Sequence, residues 1–566
     1  MNAIMEQTAA IQAQLTAPGA PFELDEIDTP SGRQTVYKQA PAHLIDVINR
    51  SRREDDACFL VYQGDRWSFG RFYAHVDALA SWMYGLGIKP GDRIAIAMRN
   101  RPEWVAVFVA AARLGAVPAP LNSFGLGEEL HAALDALDAK VLACDHDRLK
   151  RIGLEHIADS THVLMVGPGD EAEAENTRIN GYDKVQSRPV GPLPEINPAP
   201  EDPALILFTS GATSRAKAVV SSQRAVCQAL YNIDYISAVS AMSSPEALAR
   251  IQAMALTPVI LTAVPLFHVS GLHAQLLTAL RTGRRLVFMH KWDPKAAVEL
   301  MAAEQVTQFN GAPSMVMQLL REPEFHSDAV KGRMAGLGFG GAGLPQGLID
   351  EVLDAMPEQL VGIGYGMTES NGVGAGISGD LFRMHPTASG LQSPLMQISV
   401  LNMEGEPVAA GENGEICLRS VAMMDGYLND DDATAAAVRD GWLHTGDLGH
   451  VDAAGFIYIV DRLKDVINRA GENIAAAEVE SCLLRHPLVR EAAVLGVPDE
   501  ETGEAVVAVV AIQPGEELEE AELQTFVSEH LAGYKVPSMI SVQQEKLPRN
   551  PAGKLLKAQI KKQLFL

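Results

Sequence analysis

The 566 residues, 47% apolar and 21% charged, have the balance of a folded globular chain, and the length exceeds what one core carries, so a large region and a smaller domain are expected. A formal charge of −25, spread along the chain, repels a phosphate backbone and an anionic membrane surface, so nucleic acid is not an expected partner. Five scattered cysteines without a CxxC pair offer neither a disulfide framework nor a zinc knuckle and fit a reducing cytoplasm.

No Lys or Arg precedes Arg33, so a secretory signal with a basic start is not expected, and residues 1–40 read as a loosely held N-terminal arm. From residue 67 to 143 helix-like and strand-like segments alternate: a helix over 70–86, the turn Lys89-Pro90-Gly91-Asp92, a strand over 93–98 and a helix over 104–114. Such alternation predicts a parallel sheet covered by helices. A second set of apolar runs at 204–208, 256–264, 285–288 and 360–363 ends in Gly-rich turns, where open α/β sheets bind ligands. The longest apolar stretch, 253–267, is broken by Thr257, Pro258, Thr262 and Pro265; it is too short for a membrane span and reads as buried strand.

After about residue 380 short strands and reverse turns predict a β-rich subdomain, and the composition changes again at Asp461-Arg462-Leu463-Lys464-Asp465. Beyond it a helix at 476–484, strands near 492–496 and 505–512 and an acidic helix at 518–530 describe a small α+β domain. The expected fold is therefore α/β. Stacked sheets covered by helices and a β-rich subdomain occupy 41–461, and a C-terminal domain occupies 462–566.

The strand 205–208 runs into Thr209-Ser210-Gly211-Ala212-Thr213-Ser214-Arg215-Ala216-Lys217, a hydroxyl-rich turn with two cations that suits a polyphosphate. It is not a Walker loop, because Ala216 precedes the lysine and Ala218 follows it. Taken alone, it reads equally well as a solvent-exposed Ser/Thr loop. Farther on, Gly364-Tyr365-Gly366-Met367-Thr368-Glu369-Ser370 presents an aromatic face for adenine, a hydroxyl for the α-phosphate and a carboxylate for magnesium within five residues.

Thr209–Ala218 resembles the TSGTTGxPKG loop of the acyl-CoA synthetase, luciferase and nonribosomal-peptide adenylation superfamily, with Ser214 and Ala218 in place of glycines and Ala216 in place of proline. The segment around Tyr365 is similar to that superfamily's YGMTE motif, and Gly340-Gly341-Ala342-Gly343-Leu344-Pro345 to its GGAPL segment, a wall shared by adenine and acyl group. The resemblance implies that Asp447, in Thr445-Gly446-Asp447, and Arg462 clamp the ribose, and that Lys464 is the hinge of a mobile C-terminal domain. It makes Lys554, at the tip of Pro548-Arg549-Asn550-Pro551-Ala552-Gly553, the catalytic lysine that stabilises charge during adenylation. After a domain rotation the stretch around Gly471 would admit the pantetheine of coenzyme A.

His268, in Pro265-Leu266-Phe267-His268-Val269-Ser270-Gly271, falls in the segment that lines the acyl site in that superfamily and is read as orienting or gating the carboxylate; a hydrogen-bonded core histidine is the other reading. No acidic residue there would hold an amino group, and no basic residue interrupts 371–376 to pair a second carboxylate. Glycines at 340, 341, 343, 372, 374 and 376 leave room for a chain or fused rings. The implied activity is an ATP-dependent, magnesium-assisted acid:CoA ligase for a hydrophobic monocarboxylic acid, fatty or alicyclic and steroid-derived. An aryl-CoA ligase is the rival within the class, and a nucleotide-binding pseudoenzyme, suggested by the altered phosphate loop, the rival outside it. Whether the chain pairs as a homodimer is left open.

Overall fold

The computed structural model describes residues 2–167, 178–209, 216–340, 344, 346–372, 374–470, 472–550 and 553–564. A first sheet of five parallel strands runs in the order Val117–Pro120, Arg93–Ala97, Val141–Asp145, His162–Val166, Ile179–Gly181. Helix Pro102–Arg113 is apolar nearly all round (WVAVFVAAA) and is buried from Trp104 to Ala111, as a helix must be when it has no polar face to turn to water. Its Trp104 and Phe108 share a core with residues of a second sheet, including Ile260, Leu286 and Phe288. The helices predicted at 70–86 and 104–114 are observed at Phe69–Gly85 and Pro102–Arg113.

The second sheet has a parallel centre, with Gly336–Gly340 hydrogen-bonded to Leu360–Tyr365 and to Gln308–Gly311. It turns antiparallel at Ala375–Ser378 and continues through Gly390–Gln392, Phe456–Arg462, Trp442–Val451 and Gly414–Arg419 to Gln397–Leu401. The β-rich stretch after residue 380 is thus joined by strand pairing to the sheet that precedes it, through the bridge Gly390↔Ile457.

Two expectations are corrected. The apolar stretch 253–267 is not one strand. Helix Pro245–Met254 ends at Ala255, in the left-handed conformation (φ +46), and the strand spans only Val259–Thr262, because Pro258 and Pro265 each lack the N–H a longer ladder would need. Nor is the N-terminal segment loosely held. Helix Asn2–Thr16 buries Thr8, Ile11 and Leu15, and Thr8 Oγ1 lies 3.1 Å from Ser243 Oγ at the end of the long helix Gln223–Met242. Phe22 then packs among Tyr37, Tyr231 and Tyr235, with ring centroids 5.2 to 5.9 Å away. Composition without basic residues said nothing about this apolar face.

In the C-terminal part, strands Val489–Asp499 and Gly503–Ile512 form a long antiparallel pair, joined by Val466–Arg469, Glu472–Ala475 and Met539–Gln543. Strand Gly503–Ile512 is buried on both faces. Val506, Ala508, Val510 and Ile512 meet helices Ala476–Leu483 and Glu520–His530, while Ala505, Val507, Val509 and Ala511 meet Leu547 and Ile560. Alternation by two explains why its sequence reads as an unbroken apolar run. Among the described residues no helix is long and apolar enough to cross a membrane.

Phe22→Ala is expected to cost about 3 kcal/mol, the usual loss for truncating a buried aromatic, read as a lower midpoint in urea unfolding. An unchanged midpoint would mean that the N-terminal helix and its aromatic anchor are not part of the cooperative fold.

Candidate functional site

The strand Leu360–Tyr365 delivers Tyr365 to the sheet's carboxyl edge, and a single 3-10 turn, Thr368–Ser370, then reverses the chain. That turn is closed by Met367, whose N–H donates to Ser370 Oγ at 3.1 Å and whose carbonyl accepts from Gly372 N–H at 2.8 Å. Asn371 follows with φ +52 and donates its side-chain amide to the Ala422 carbonyl at 2.9 Å, so Thr368 and Glu369 project from a turn pinned at both ends.

Tyr365 donates its hydroxyl to Asp447 Oδ2 at 2.8 Å, and Arg462 Nε meets Asp447 Oδ1 at 2.6 Å. The two strands bearing Asp447 and Arg462 pair in a register that sets these residues opposite each other. Asp447 is buried, and burial raises its carboxyl above the usual range despite the opposing pull of Arg462 and of the Tyr365 hydroxyl. Burial, with Asp447 adding to it, pushes the Tyr365 phenol well up, so Tyr365 stays a neutral donor.

Lys554 comes to the same place from the far end of the chain. Burial lowers its ammonium pKa below the usual lysine value; Arg462 and Lys464 add to that, and Asp447 and Glu369 oppose it. The turn that carries it is built by Asn550, whose N–H donates to the Lys554 carbonyl at 2.8 Å and whose side chain accepts from Lys554 N–H at 2.9 Å. Gly553 has φ +84, and a methyl group on it would lie 3.0 Å from Ala312 Cβ, so both conformation and contact require glycine here. Lys554 also lowers the imidazole pKa of His268, after burial, which together take it down to about 4 and keep it neutral near pH 7. His268 Nε2 is buried without a hydrogen-bond partner among the described residues.

Tyr365, Asp447 and Arg462 are in direct contact, and Lys554 lies within electrostatic reach of Asp447, Glu369, Arg462, Lys464 and His268, with Thr368, Gly364, Gly366 and Met367 on the strand and turn that carry Tyr365 and Glu369. Lys464 sits exposed in the short turn Leu463–Asp465. Of the phosphate loop, the neck is described: Thr209 and Lys217 close it by two hydrogen bonds, Thr209 N–H to the Lys217 carbonyl at 2.9 Å and Lys217 N–H to Thr209 Oγ1 at 3.2 Å. Ser210, Gly211 and Thr213, with Ser214, and likewise Gly341, Ala342, Gly343 and Gly471, lie outside the described residues.

Two features escaped the sequence reading. Tyr427 donates its hydroxyl to Glu369 Oε1 at 2.9 Å while Lys217 Nζ stands 4.5 Å above its ring, so one tyrosine links the phosphate loop's lysine to the carboxylate. It arrives because the two-residue strand Gly426–Tyr427 pairs with Ala218–Ser222, a contact across more than 200 residues that no local pattern signals. Glu415 accepts from Gly446 N–H at 3.1 Å and pairs with His444 at 2.8 Å, steadying the turn that precedes Asp447. Its signal was available only in part: Glu415 and Cys417 alternate along one strand, whereas the pairing of Cys417 with His444 depends on register, which shifts between Glu415 and Cys417.

The family profile described as AMP-binding enzyme matches residues 48–428, and that described as AMP-binding enzyme C-terminal domain matches residues 478–554. The chain is 30% identical over 554 residues to a 4-coumarate–CoA ligase 3 of Arabidopsis thaliana, covering 96% of this chain and 93% of the relative. It is 32% identical over 530 residues to a dioxo-octahydroindenyl-propanoyl:CoA ligase of Mycobacterium tuberculosis, covering 90% and 96%. The crystal structure of ATP-bound MatB from Rhodopseudomonas palustris superposes with a TM-score of 0.79 at 26% identity, covering 92% of this chain and 98% of that one.

Replacing Tyr427 with Phe keeps the ring under Lys217 and removes only the hydroxyl on Glu369. ATP affinity measured calorimetrically with magnesium is expected to fall about tenfold, the scale of one hydrogen bond to a charged group. Wild-type affinity in the variant would mean that Tyr427 does not set the carboxylate.

Proposed function

The chain belongs to the AMP-binding enzyme family, and from that membership and the site just described we propose a division of labour within an ATP-dependent, AMP-forming acid:CoA ligase whose acid is a hydrophobic monocarboxylate, fatty or alicyclic and steroid-derived. The ligase class itself, with ATP, CoA and a carboxylic acid as substrates, follows from relatives that are CoA ligases over nearly their whole length. What carries the assignment of roles is the convergence of Lys554 on the Tyr365–Asp447–Arg462 cluster and Glu369.

In the first half-reaction a carboxylate oxygen of the acid attacks the α-phosphorus of ATP. The bond from that phosphorus to the bridging oxygen breaks, and pyrophosphate leaves with its electron pair. Lys554, desolvated and cationic, is the group that meets the charge developing on the α-phosphate and the ribose-side oxygen, an effect that burial strengthens. Thr368 faces the phosphate from its pinned turn, Tyr365 lies against adenine, and Asp447 with Arg462 holds the ribose hydroxyls. Thr209, Ser210, Gly211, Thr213 and Lys217 take the outer phosphates, and Gly341, Ala342 and Gly343 wall the base. Neutral His268 donates its unpaired Nε2–H to the incoming carboxylate.

Glu369 commits one oxygen to Tyr427, and a carboxylate has acceptor capacity beyond a single donor, so the residue suits a magnesium ion. When bound, magnesium neutralises phosphate charge. In the second half-reaction the C-terminal part beyond Lys464 turns about that residue and withdraws Lys554. Gly471 then lines the path of the CoA thiol, which attacks the acyl carbonyl and releases AMP. A cytoplasmic location accords with this use of soluble substrates. The aryl-acid reading keeps its place because one relative is named for 4-coumarate.

Lys554→Ala is expected to lower acid-dependent exchange of pyrophosphate into ATP by at least about a hundredfold, as for loss of one charge-stabilising group, while thioester formation from supplied acyl-AMP stays within about threefold. An equal fall in both steps would refute the two-orientation division of labour.

A further inference from the structure

Strands Gly414–Arg419 and Trp442–Val451 are antiparallel neighbours, and their register sets Cys417 opposite His444. A register shift falls between Cys417 and Glu415, an irregularity of the kind that re-aims a side chain. His444 Nδ1 thus lies 2.8 Å from Glu415 Oε2 and 3.5 Å from Cys417 Sγ. One ligand atom from each of the three residues lies within 4.8 Å of the other two. A ring nitrogen has a single position for a hydrogen or a metal, so once the carboxylate takes it the sulfur is a close neighbour that this nitrogen does not serve.

The cluster stands on the reverse of its strand from Asp447. Along Trp442–Val451 the buried Thr445 and Asp447 alternate with His444 and Gly446, so His444 turns away from the side on which Asp447 meets Tyr365 and Arg462. The side chains of His444 and Glu415 keep 14% and 21% of their surface exposed, while Cys417 is buried, so an ion arriving from solvent meets the imidazole and the carboxylate first and the sulfur last. Glu415 Oε1 is held by Gly446 N–H at 3.1 Å, which leaves Oε2 as the oxygen aimed at the cluster.

We propose that Glu415 Oε2, Cys417 Sγ and His444 Nδ1 form a three-ligand site for a divalent ion of the zinc class, with water in the fourth, solvent-facing position. The site is separate from Glu369 and does not depend on the ligase reading. One sulfur, one imidazole nitrogen and one carboxylate oxygen are the ligands zinc takes, whereas magnesium and calcium prefer oxygen alone. In a tetrahedral site with Zn–S about 2.3 Å and Zn–N about 2.05 Å the sulfur and nitrogen stand about 3.5 Å apart, the separation seen here. Nitrogen and oxygen stand about 3.4 Å apart in such a site, so the ion enters by opening the His444–Glu415 contact by about 0.6 Å. On binding, the Cys417 S–H bond breaks, its electron pair goes to the metal and its proton to solvent, and the carboxylate and thiolate together match the ion's two charges. The bound ion ties together the two strands that carry the Gly446 turn.

The test uses the full chain, stripped with a chelator and kept reduced by a phosphine, with magnesium in large excess so that oxygen-only sites are filled. Equilibrium dialysis against zinc is expected to load one ion per chain. Cys417→Ser and His444→Gln are each expected to weaken zinc binding at least about tenfold, since a ligand costs no less than a partner of a ligand, while Cys58→Ser, at the other partly accessible cysteine, leaves it unchanged. Cobalt in place of zinc is expected to give a sulfur-to-cobalt charge-transfer band in the wild type and in Cys58→Ser and none in Cys417→Ser. Zinc is also expected to raise the thermal midpoint of the wild type and not that of Cys417→Ser, whose far-ultraviolet circular dichroism shows it folded. Failure of the wild type to hold zinc, a cobalt spectrum without the band, a band that survives in Cys417→Ser or is lost in Cys58→Ser, or a midpoint that zinc raises equally in both chains overturns the site.

Discussion

A buried carboxylate with two partners holds the site together. Asp447 is taken out of water at the seam of two antiparallel strands, where an isolated charge would be prohibitive, and Arg462 and the Tyr365 hydroxyl occupy both of its oxygens. The pairing fixes more than one side chain. Tyr365 belongs to the parallel centre of the sheet and Arg462 to its antiparallel extension, so the carboxylate ties the two halves of one sheet at the point where the nucleotide would lie. Lys554 then enters an environment that already holds the cations Arg462 and Lys464 and the carboxylates Asp447 and Glu369. A nucleotide's phosphates add the negative charge that makes a desolvated lysine favourable there.

Much of this was legible in the chain because the chemistry is carried by contiguous motifs. Thr368 and Glu369 lie in one turn, Arg462 is two residues from Lys464, and Lys554 is marked by a Pro/Gly turn. Alternating helices and strands disclosed the first sheet for the same reason: period and turn chemistry are local. What stayed hidden was long-range. Tyr427 reaches Glu369 only because a two-residue strand pairs with the strand after the phosphate loop, and Phe22 is fixed only by tyrosines 15 to 213 residues away in the chain. The glycines at 340, 364 and 376 lie between these cases: each was visible, whereas their pairing at one level depends on strand register, which sequence pattern does not state.

The two proposed orientations place a limit on how firmly the C-terminal part can be held. In the orientation seen, Asp461 accepts from Arg462 N–H with one oxygen and from Ala477 N–H, at the start of helix Ala476–Leu483, with the other at 3.0 Å. Since Asp461 precedes the proposed pivot at Lys464 and Ala477 follows it, a rotation about that residue parts the second bond. Hydrogen bonds to a charged acceptor are worth about 1.5 to 3 kcal/mol, and the burial of Lys554 adds no large gain while its charge is poorly compensated. That bond is therefore of the order that binding can outweigh. Phosphate charge beside Lys554 favours the observed orientation. In the proposed scheme that favour weakens once pyrophosphate has gone, and the differential affinity of successive ligands for the two arrangements would turn the domain.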